Sequence, residues 1–86
     1  MELDNRILRL IAVGASVTAN CQPCLQINVA KALESGANQQ EIAEAIVVGK
    51  MVRKGAASKM DNFITSLNQD EAYSADMLTV SCGCDV

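Results

Sequence analysis

Four cysteines carry the widest chemical reach in this chain: Cys21 and Cys24, separated by Gln22-Pro23, and Cys82 and Cys84, separated by Gly83. The first spacing puts two thiols one helical turn apart, close enough to form a disulfide with little backbone movement. Asn20-Cys21-Gln22-Pro23-Cys24 interrupts the helical pattern before it. Pro23 suits the first turn of a new helix, where its missing N–H is no loss. At a helix N-terminus, free N–H groups and the macrodipole favour a thiolate, the nucleophile of thiol chemistry. The pair Cys21/Cys24 therefore reads as redox-active. The plainer reading, two small buried hydrophobes, asks for a coincidence of spacing and position.

Cys82 and Cys84 stand in an acidic C-terminal tail. They read either as a second dithiol, exchanging with Cys21/Cys24 through a mixed disulfide, or as an inert pair. Together Cys21, Cys24, Cys82 and Cys84 could offer four thiolates to a soft metal such as Zn²⁺, but Cys-x-Cys is an uncommon zinc knuckle and the two pairs are far apart. The chain has no histidine. That excludes a His-ligated metal, a Ser-His or Cys-His dyad and any imidazole acid or base. No cofactor is expected.

The elements that must position these thiols are helices. Eighty-six residues hold one small core. With one Tyr, one Phe and no Trp, that core is built from Ala, Val, Ile, Leu and Met, which favours packed helices over a sheet. Ile7, Leu10, Ile11, Gly14 and Val17 define a first helix over about residues 4–18, with Arg6, Arg9 and Ser16 placed elsewhere around its axis and Asp4 or Asn5 as its cap. A second helix runs from Cys21 or Gln22 to Ser35. Its stripe is Cys24 or Leu25, Asn28 or Val29, Ala32 and Leu33, and Gly36 is its C-terminal cap. Asn38-Gln39-Gln40-Glu41 has the form of a capping box. It opens a long third helix that continues to about Leu67. Gly49 and Gly55-Ala56-Ala57-Ser58 suggest close approach of a neighbouring helix. Asp70 to Met77 suits one more short helix. The expected organisation is an all-α domain over residues 1–67 and an acidic extension over 68–86.

Charge narrows the partners. Residues 1–60 carry a net charge of +2 and residues 61–86 carry −5. Nucleic-acid binding, which needs basic excess and aromatic stacking surfaces, is not expected. Lys50, Arg53, Lys54 and Lys59 read as a solvated helix face. Glu2, Asp4 and Arg9 give Ile7–Ala19 the wrong charge pattern for a signal peptide, and no apolar run approaches the ~20 residues of a membrane span. A cytoplasmic protein is expected, where a cysteine pair is redox-active or metal-binding more often than a structural staple. Three helices with this much Ile, Val and Met leave apolar surface for a second copy to cover.

Several runs then show a resemblance: Ala19-Asn20-Cys21-Gln22-Pro23-Cys24-Leu25, Lys31-Ala32-Leu33-Glu34-Ser35-Gly36-Ala37, Glu41-Ile42-Ala43-Glu44-Ala45-Ile46, and Met51-Val52-Arg53 with Gly55-Ala56-Ala57. Over about residues 3–65 the chain resembles the carboxymuconolactone decarboxylase superfamily. Its Cys-x-x-Cys resembles that of the alkyl hydroperoxidase D (AhpD-like) branch. The resemblance implies an all-α core, a homo-oligomer of three or six subunits, and thiol-dependent peroxide reduction. In that chemistry Cys24 attacks peroxide and Cys21 resolves the sulfenic acid as a disulfide. The chain departs from the branch at its proton relay. Asn28 and Pro23 stand where histidines occur, and Arg9 stands where an acidic residue occurs. Asn28 can orient a water or hydrogen-bond a thiolate, but it takes up no proton near neutral pH.

These observations converge on a thiol–disulfide oxidoreductase with weak peroxide-reducing capacity, served by a small peroxide or disulfide substrate and a thiol reductant. Cys21 and Cys24 are its catalytic pair, with Asn28, Cys82 and Cys84 as auxiliaries. The competing expectations are a four-cysteine soft-metal binder and a catalytically degenerate oligomeric binding module.

Overall fold

In the computed structural model the first two helices begin and end, and the third begins, where a local chemical signal places the boundary. The structure describes residues 1–69, which contain α1 (Asn5–Thr18), α2 (Gln22–Glu34) and α3 (Gln39–Gln69), and no strand among them. Asp4 caps α1, its Oδ1 accepting the Ile7 N–H at 2.8 Å. Asn38 and Glu41 form the expected capping box at the start of α3. The Glu41 N–H donates to Asn38 Oδ1 at 2.8 Å and the Asn38 N–H to Glu41 Oε1 at 3.1 Å. Glu41 also pairs with Arg6 of α1.

The two helix C-termini are closed by the same device. After α1, the Cys21 N–H donates to the Ser16 carbonyl and the Asn20 N–H to the Val17 carbonyl, with Asn20 left-handed at φ 56°. After α2, the Ala37 N–H donates to the Ala32 carbonyl and the Gly36 N–H to the Leu33 carbonyl, with Gly36 at φ 99°. Both are Schellman turns, which need a residue tolerant of positive φ at the first position past the cap. Glycine meets that need after α2, as expected, and asparagine meets it after α1.

The chain divides into a first compact unit, Met1–Ala56, and a second that begins at Ala57. The first unit holds α1, α2 and the start of α3. Its core is small: Val13, Ala32, Ala37 and Ile42 are buried, with Leu10, Leu25, Val29, Ala45 and Ile46 packed against them. Glycines set the spacing of α1 and α3. A Cβ on Gly49 would overlap the Gly14 carbonyl oxygen and lie 2.9 Å from Val17 Cβ, and a Cβ on Gly14 would lie 3.0 Å from the Ala45 carbonyl oxygen. The close approach expected at Gly49 is therefore present. At Gly55 it is not, since none of the described residues lies within 4 Å of where a Cβ would stand.

Three side-chain placements differ from the expected stripes. Val13, outside the α1 stripe, is fully buried, whereas Ile11 within it is 55% exposed. Ser16, assigned to the polar surface of α1, is buried. Its Oγ donates to the Ala12 carbonyl at 2.6 Å and accepts from Asn28 Nδ2 at 3.2 Å, so a polar group enters the interior with its hydrogen bonds satisfied. On α2, Leu33 is exposed and Leu25, Val29 and Ala32 carry the inward face. In the second unit, the α3 segment from residue 57 presents Met60, Phe63 and Ile64 at its surface. The expected helix over Asp70 to Met77, and the tail with Cys82 and Cys84, lie outside the described residues.

Candidate functional site

The turn between α1 and α2 delivers the cysteine pair. Cys21 follows the left-handed Asn20, and its N–H is tied to the Ser16 carbonyl at 3.0 Å, which fixes its backbone to the end of α1. With φ −102° and ψ 97° it is the extended residue that caps α2, and its Sγ accepts the Cys24 N–H at 3.3 Å. Pro23 sits in the first turn, where the sequence places it. Cys21 and Cys24 are joined as a disulfide with their Cα atoms 5.2 Å apart, inside the usual range for such a bridge. Cys21 is half-buried and Cys24 is exposed.

Below the pair, Asn28 joins α1 to α2. Its Oδ1 accepts from Arg9 Nη1 at 3.3 Å, and its Nδ2 donates both to Ser16 Oγ at 3.2 Å and to the Cys24 carbonyl at 2.9 Å. Arg9 and Asn28, two of the three positions at which this chain departs from the relay that the resemblance implies, therefore touch each other. An amide nitrogen has two hydrogens. Both are engaged here, so in this arrangement Asn28 has no donor left for a thiolate. Here it is a strut between the two helices.

A cleft of about 280 Å³ opens beside Cys21, walled by Ser16, Cys21, Gln22, Ile46, Lys50 and Arg53 among others. Lys50 and Arg53 were expected on a solvated helix face. Both are exposed as residues, yet they also form one wall of the cleft that holds a disulfide sulfur. Arg53 Nη1 donates to the Val17 carbonyl at 3.3 Å and to Asn20 Oδ1 at 3.0 Å, bracing the turn that presents Cys21. Among the described residues the one salt bridge joins Arg6 to Glu41, and no carboxylate is paired with Lys50 or Arg53. Among the described residues no acidic side chain lines the cleft. A signal for this wall was present in the sequence: Ile42, Ile46, Lys50 and Arg53 recur at helical spacing, so the buried stripe of α3 runs directly into two cations.

A second and larger groove, about 690 Å³, runs between α1 and α3 of the first unit, lined by Ile7, Leu10, Ile11, Val48, Val52 and neighbouring small residues. Its lining is almost wholly apolar, and among the described residues no cysteine faces it. Of the expected site residues, the structure thus brings together Cys21, Cys24 and Asn28. Cys82 and Cys84, and with them the four-thiolate metal reading, lie outside the described residues.

A family model described as "Carboxymuconolactone decarboxylase family" matches residues 2–60. A protein of Paracoccus denitrificans named "Uncharacterized protein 4 in cox locus" is 40% identical over 55 residues, which are 64% of this chain and 50% of that protein. The chain spans about half the length of this relative. No solved structure matches it.

Proposed function

Because the chain belongs to the carboxymuconolactone decarboxylase family, whose helical core it shares, we propose that it acts as a thiol–disulfide oxidoreductase through Cys21 and Cys24. The observation that carries this reading is the bridged pair at the start of α2. One sulfur accepts a helix N-terminal N–H and borders an open cleft. In the reduced protein the same N–H and the N-terminal end of the dipole stabilise a thiolate at position 21. Cys21 is then the attacking sulfur and Cys24, one turn on and exposed, the resolving one.

Exchange with a disulfide R–S–S–R balances without a further reactant. The Cys21 thiolate attacks one sulfur and releases R–S⁻, leaving Cys21 in a mixed disulfide. Cys24, its proton lost to solvent, attacks Cys21 Sγ and releases the second R–S⁻. The protein dithiol loses two electrons and R–S–S–R gains them. Run backwards, a thiol reductant restores the dithiol.

Peroxide reduction is the lesser capacity in this reading. It needs a base for the attacking thiol and an acid for the leaving hydroxide, and the relay positions hold Arg9 and Asn28, bonded to each other. Loss of such a group lowers rates by about 10² to 10⁴. Assembly of several copies belongs to the same proposal. Its support is the apolar α1/α3 groove and the exposed Met51, Val52, Met60 and Phe63. No helix among the described residues is long and apolar enough to cross a membrane.

The test is disulfide reduction by the pre-reduced protein. The wild type is expected to turn over with a thiol reductant, Cys21→Ser to be inert, and Cys24→Ser to stall as a mixed disulfide detected as a mass adduct. Wild-type rates in both variants would sink the proposal.

A further inference from the structure

The exchange reading says nothing about what the disulfide substrate looks like. We infer that the cleft beside Cys21 selects an anionic partner, a small disulfide or thiol bearing carboxylate or phosphate groups. This inference rests on the exchange reading for the fate of its sulfur atoms. Four observations bear on it independently of that chemistry.

First, the cleft contains one sulfur of the pair and not the other, since Cys21 lines it and Cys24 does not. A substrate sulfur that enters the cleft therefore meets Cys21. Second, apart from Cys21 itself, the ionisable side chains that line the cleft among the described residues are cations, Lys50 and Arg53. Third, neither is neutralised by a carboxylate among the described residues, because the hydrogen bonds of Arg53 go to a carbonyl and to a side-chain amide. Those bonds use Nη1 alone and hold the guanidinium at the cleft, with its other N–H donors unassigned to protein groups among the described hydrogen bonds. Two unneutralised cations in a concave site raise the local concentration of anions and their arrival rate. Fourth, the volume is modest. At about 30 Å³ per water, 280 Å³ is room for roughly nine water molecules. That suits a short thiol arm with one anionic group, or the thiol end of a larger molecule whose remainder lies outside.

The balance of the reaction is that given above, with R carrying the negative charge. Cys21–S⁻ displaces R–S⁻ from R–S–S–R, the anionic group of the bound half rests against Lys50 and Arg53, and attack by Cys24 frees it. The first thiolate released departs from a basic cleft towards solvent, so no neutralising group is required beyond water.

The test compares three symmetrical disulfides of similar size against the pre-reduced full-length protein: 3,3′-dithiodipropionate (doubly anionic), 2-hydroxyethyl disulfide (neutral) and cystamine (doubly cationic). Second-order rates are read by alkylation quench and mass spectrometry, and each is divided by the rate of the same disulfide with dithiothreitol to remove intrinsic reactivity. The normalised anionic-to-cationic ratio is expected to be at least about tenfold at low ionic strength and to approach unity near 1 M salt, where the Debye length falls to about 3 Å. Lys50→Gln, which removes a side chain with no described hydrogen bond, is expected to lower that ratio about threefold, and Lys50→Gln/Arg53→Gln to lower it further. Lys31→Gln, a charge of the same sign on α2 outside the cleft, leaves it in place. Using a ratio cancels any change in thiolate population.

A charge-blind ratio in the wild type, or a ratio that Lys50→Gln leaves untouched, overturns the anionic-partner inference while exchange stands. Failure of all three disulfides to oxidise the dithiol overturns the exchange reading itself. Coenzyme A disulfide in a fourth arm distinguishes the sources. A normalised rate above that of dithiodipropionate marks a phosphate-bearing partner, and a rate below it marks a carboxylate-bearing one.

Discussion

The same substitution at two glycines of α3 should change stability in opposite directions. Replacing an exposed helical glycine with alanine restricts the unfolded chain and adds about 1 kcal/mol of stability. Gly55 meets that condition, since a Cβ there would touch none of the described residues within 4 Å. Gly49→Ala gains the same backbone term, but its new methyl overlaps the Gly14 carbonyl oxygen and crowds Val17 Cβ. One obstacle is main chain and the other is anchored at the end of α1, so the helices must separate to admit it. Overpacking of this kind costs about 1–3 kcal/mol, and a clash with backbone belongs at the upper end. The net expectation is a loss of about 2 kcal/mol for Gly49→Ala against a gain of about 1 kcal/mol for Gly55→Ala. For a domain this small, 1 kcal/mol moves Tm by roughly 4–8 °C. Urea titrations of both variants with the Cys21–Cys24 bridge intact, alongside thermal melts, read the difference. Equal midpoints for the two variants, or a more stable Gly49→Ala, would refute the glycine-set crossing of α1 and α3.

Three further outcomes follow from local geometry. Asn20 is left-handed, so Asn20→Gly keeps the backbone and loses only the bond from Arg53, about 0.5–1 kcal/mol, whereas Asn20→Val should lose about 1–2 kcal/mol more in the same titrations and slow exchange by loosening the turn that presents Cys21. Iodoacetamide labelling of the reduced protein should modify Cys21 faster than Cys24, and should persist at pH values well below about 8.5, where an ordinary thiol is mostly protonated and slow. Labelling of both cysteines with an ordinary profile would remove the case for an activated thiolate. Arg9→Glu/Asn28→His places an acid and an imidazole at two positions that already touch, so peroxide consumption should rise by about tenfold or more over wild type; unchanged consumption would show that the missing relay is not what limits it.

What the sequence reveals about this fold divides along the range of the interactions involved. Asp4, Pro23, Gly36 and the Asn38/Glu41 box act on backbone within three or four residues of themselves, and each is legible from its neighbours alone. The burial of Val13 and Ser16 is of another kind. Helix α1 carries apolar residues around most of its circumference, and which face turns inward depends on Asn28, twelve residues beyond Ser16, supplying a donor. Gly49 and Gly55 both suggest a close approach from the sequence, and the position of α1 decides that only Gly49 meets one among the described residues. Lys50 and Arg53 look like any solvated cations until α1 and the start of α2 are placed beside them. The Cys21–Cys24 pair at the start of α2 was legible because its spacing, proline and helix start are all local. The cleft that Cys21 borders is assembled from three helices, so its charge could not be read from the motif.

Cys21 closes the end of α1 with its backbone and caps α2 with its sulfur, and this double duty ties redox state to helix stability. A thiolate accepts the Cys24 N–H in a charge-assisted bond, which is stronger than the bond to a neutral disulfide sulfur. Whatever free energy the reduced form gains at this cap must appear in the reduction potential of the pair, at about 30 mV for each 1.4 kcal/mol. A cap difference of about 1 kcal/mol thus makes the pair more oxidising by roughly 20 mV. Changes that strengthen or weaken the first turn of α2 in only one redox state, even those that never touch a sulfur, therefore retune the electron affinity of the protein.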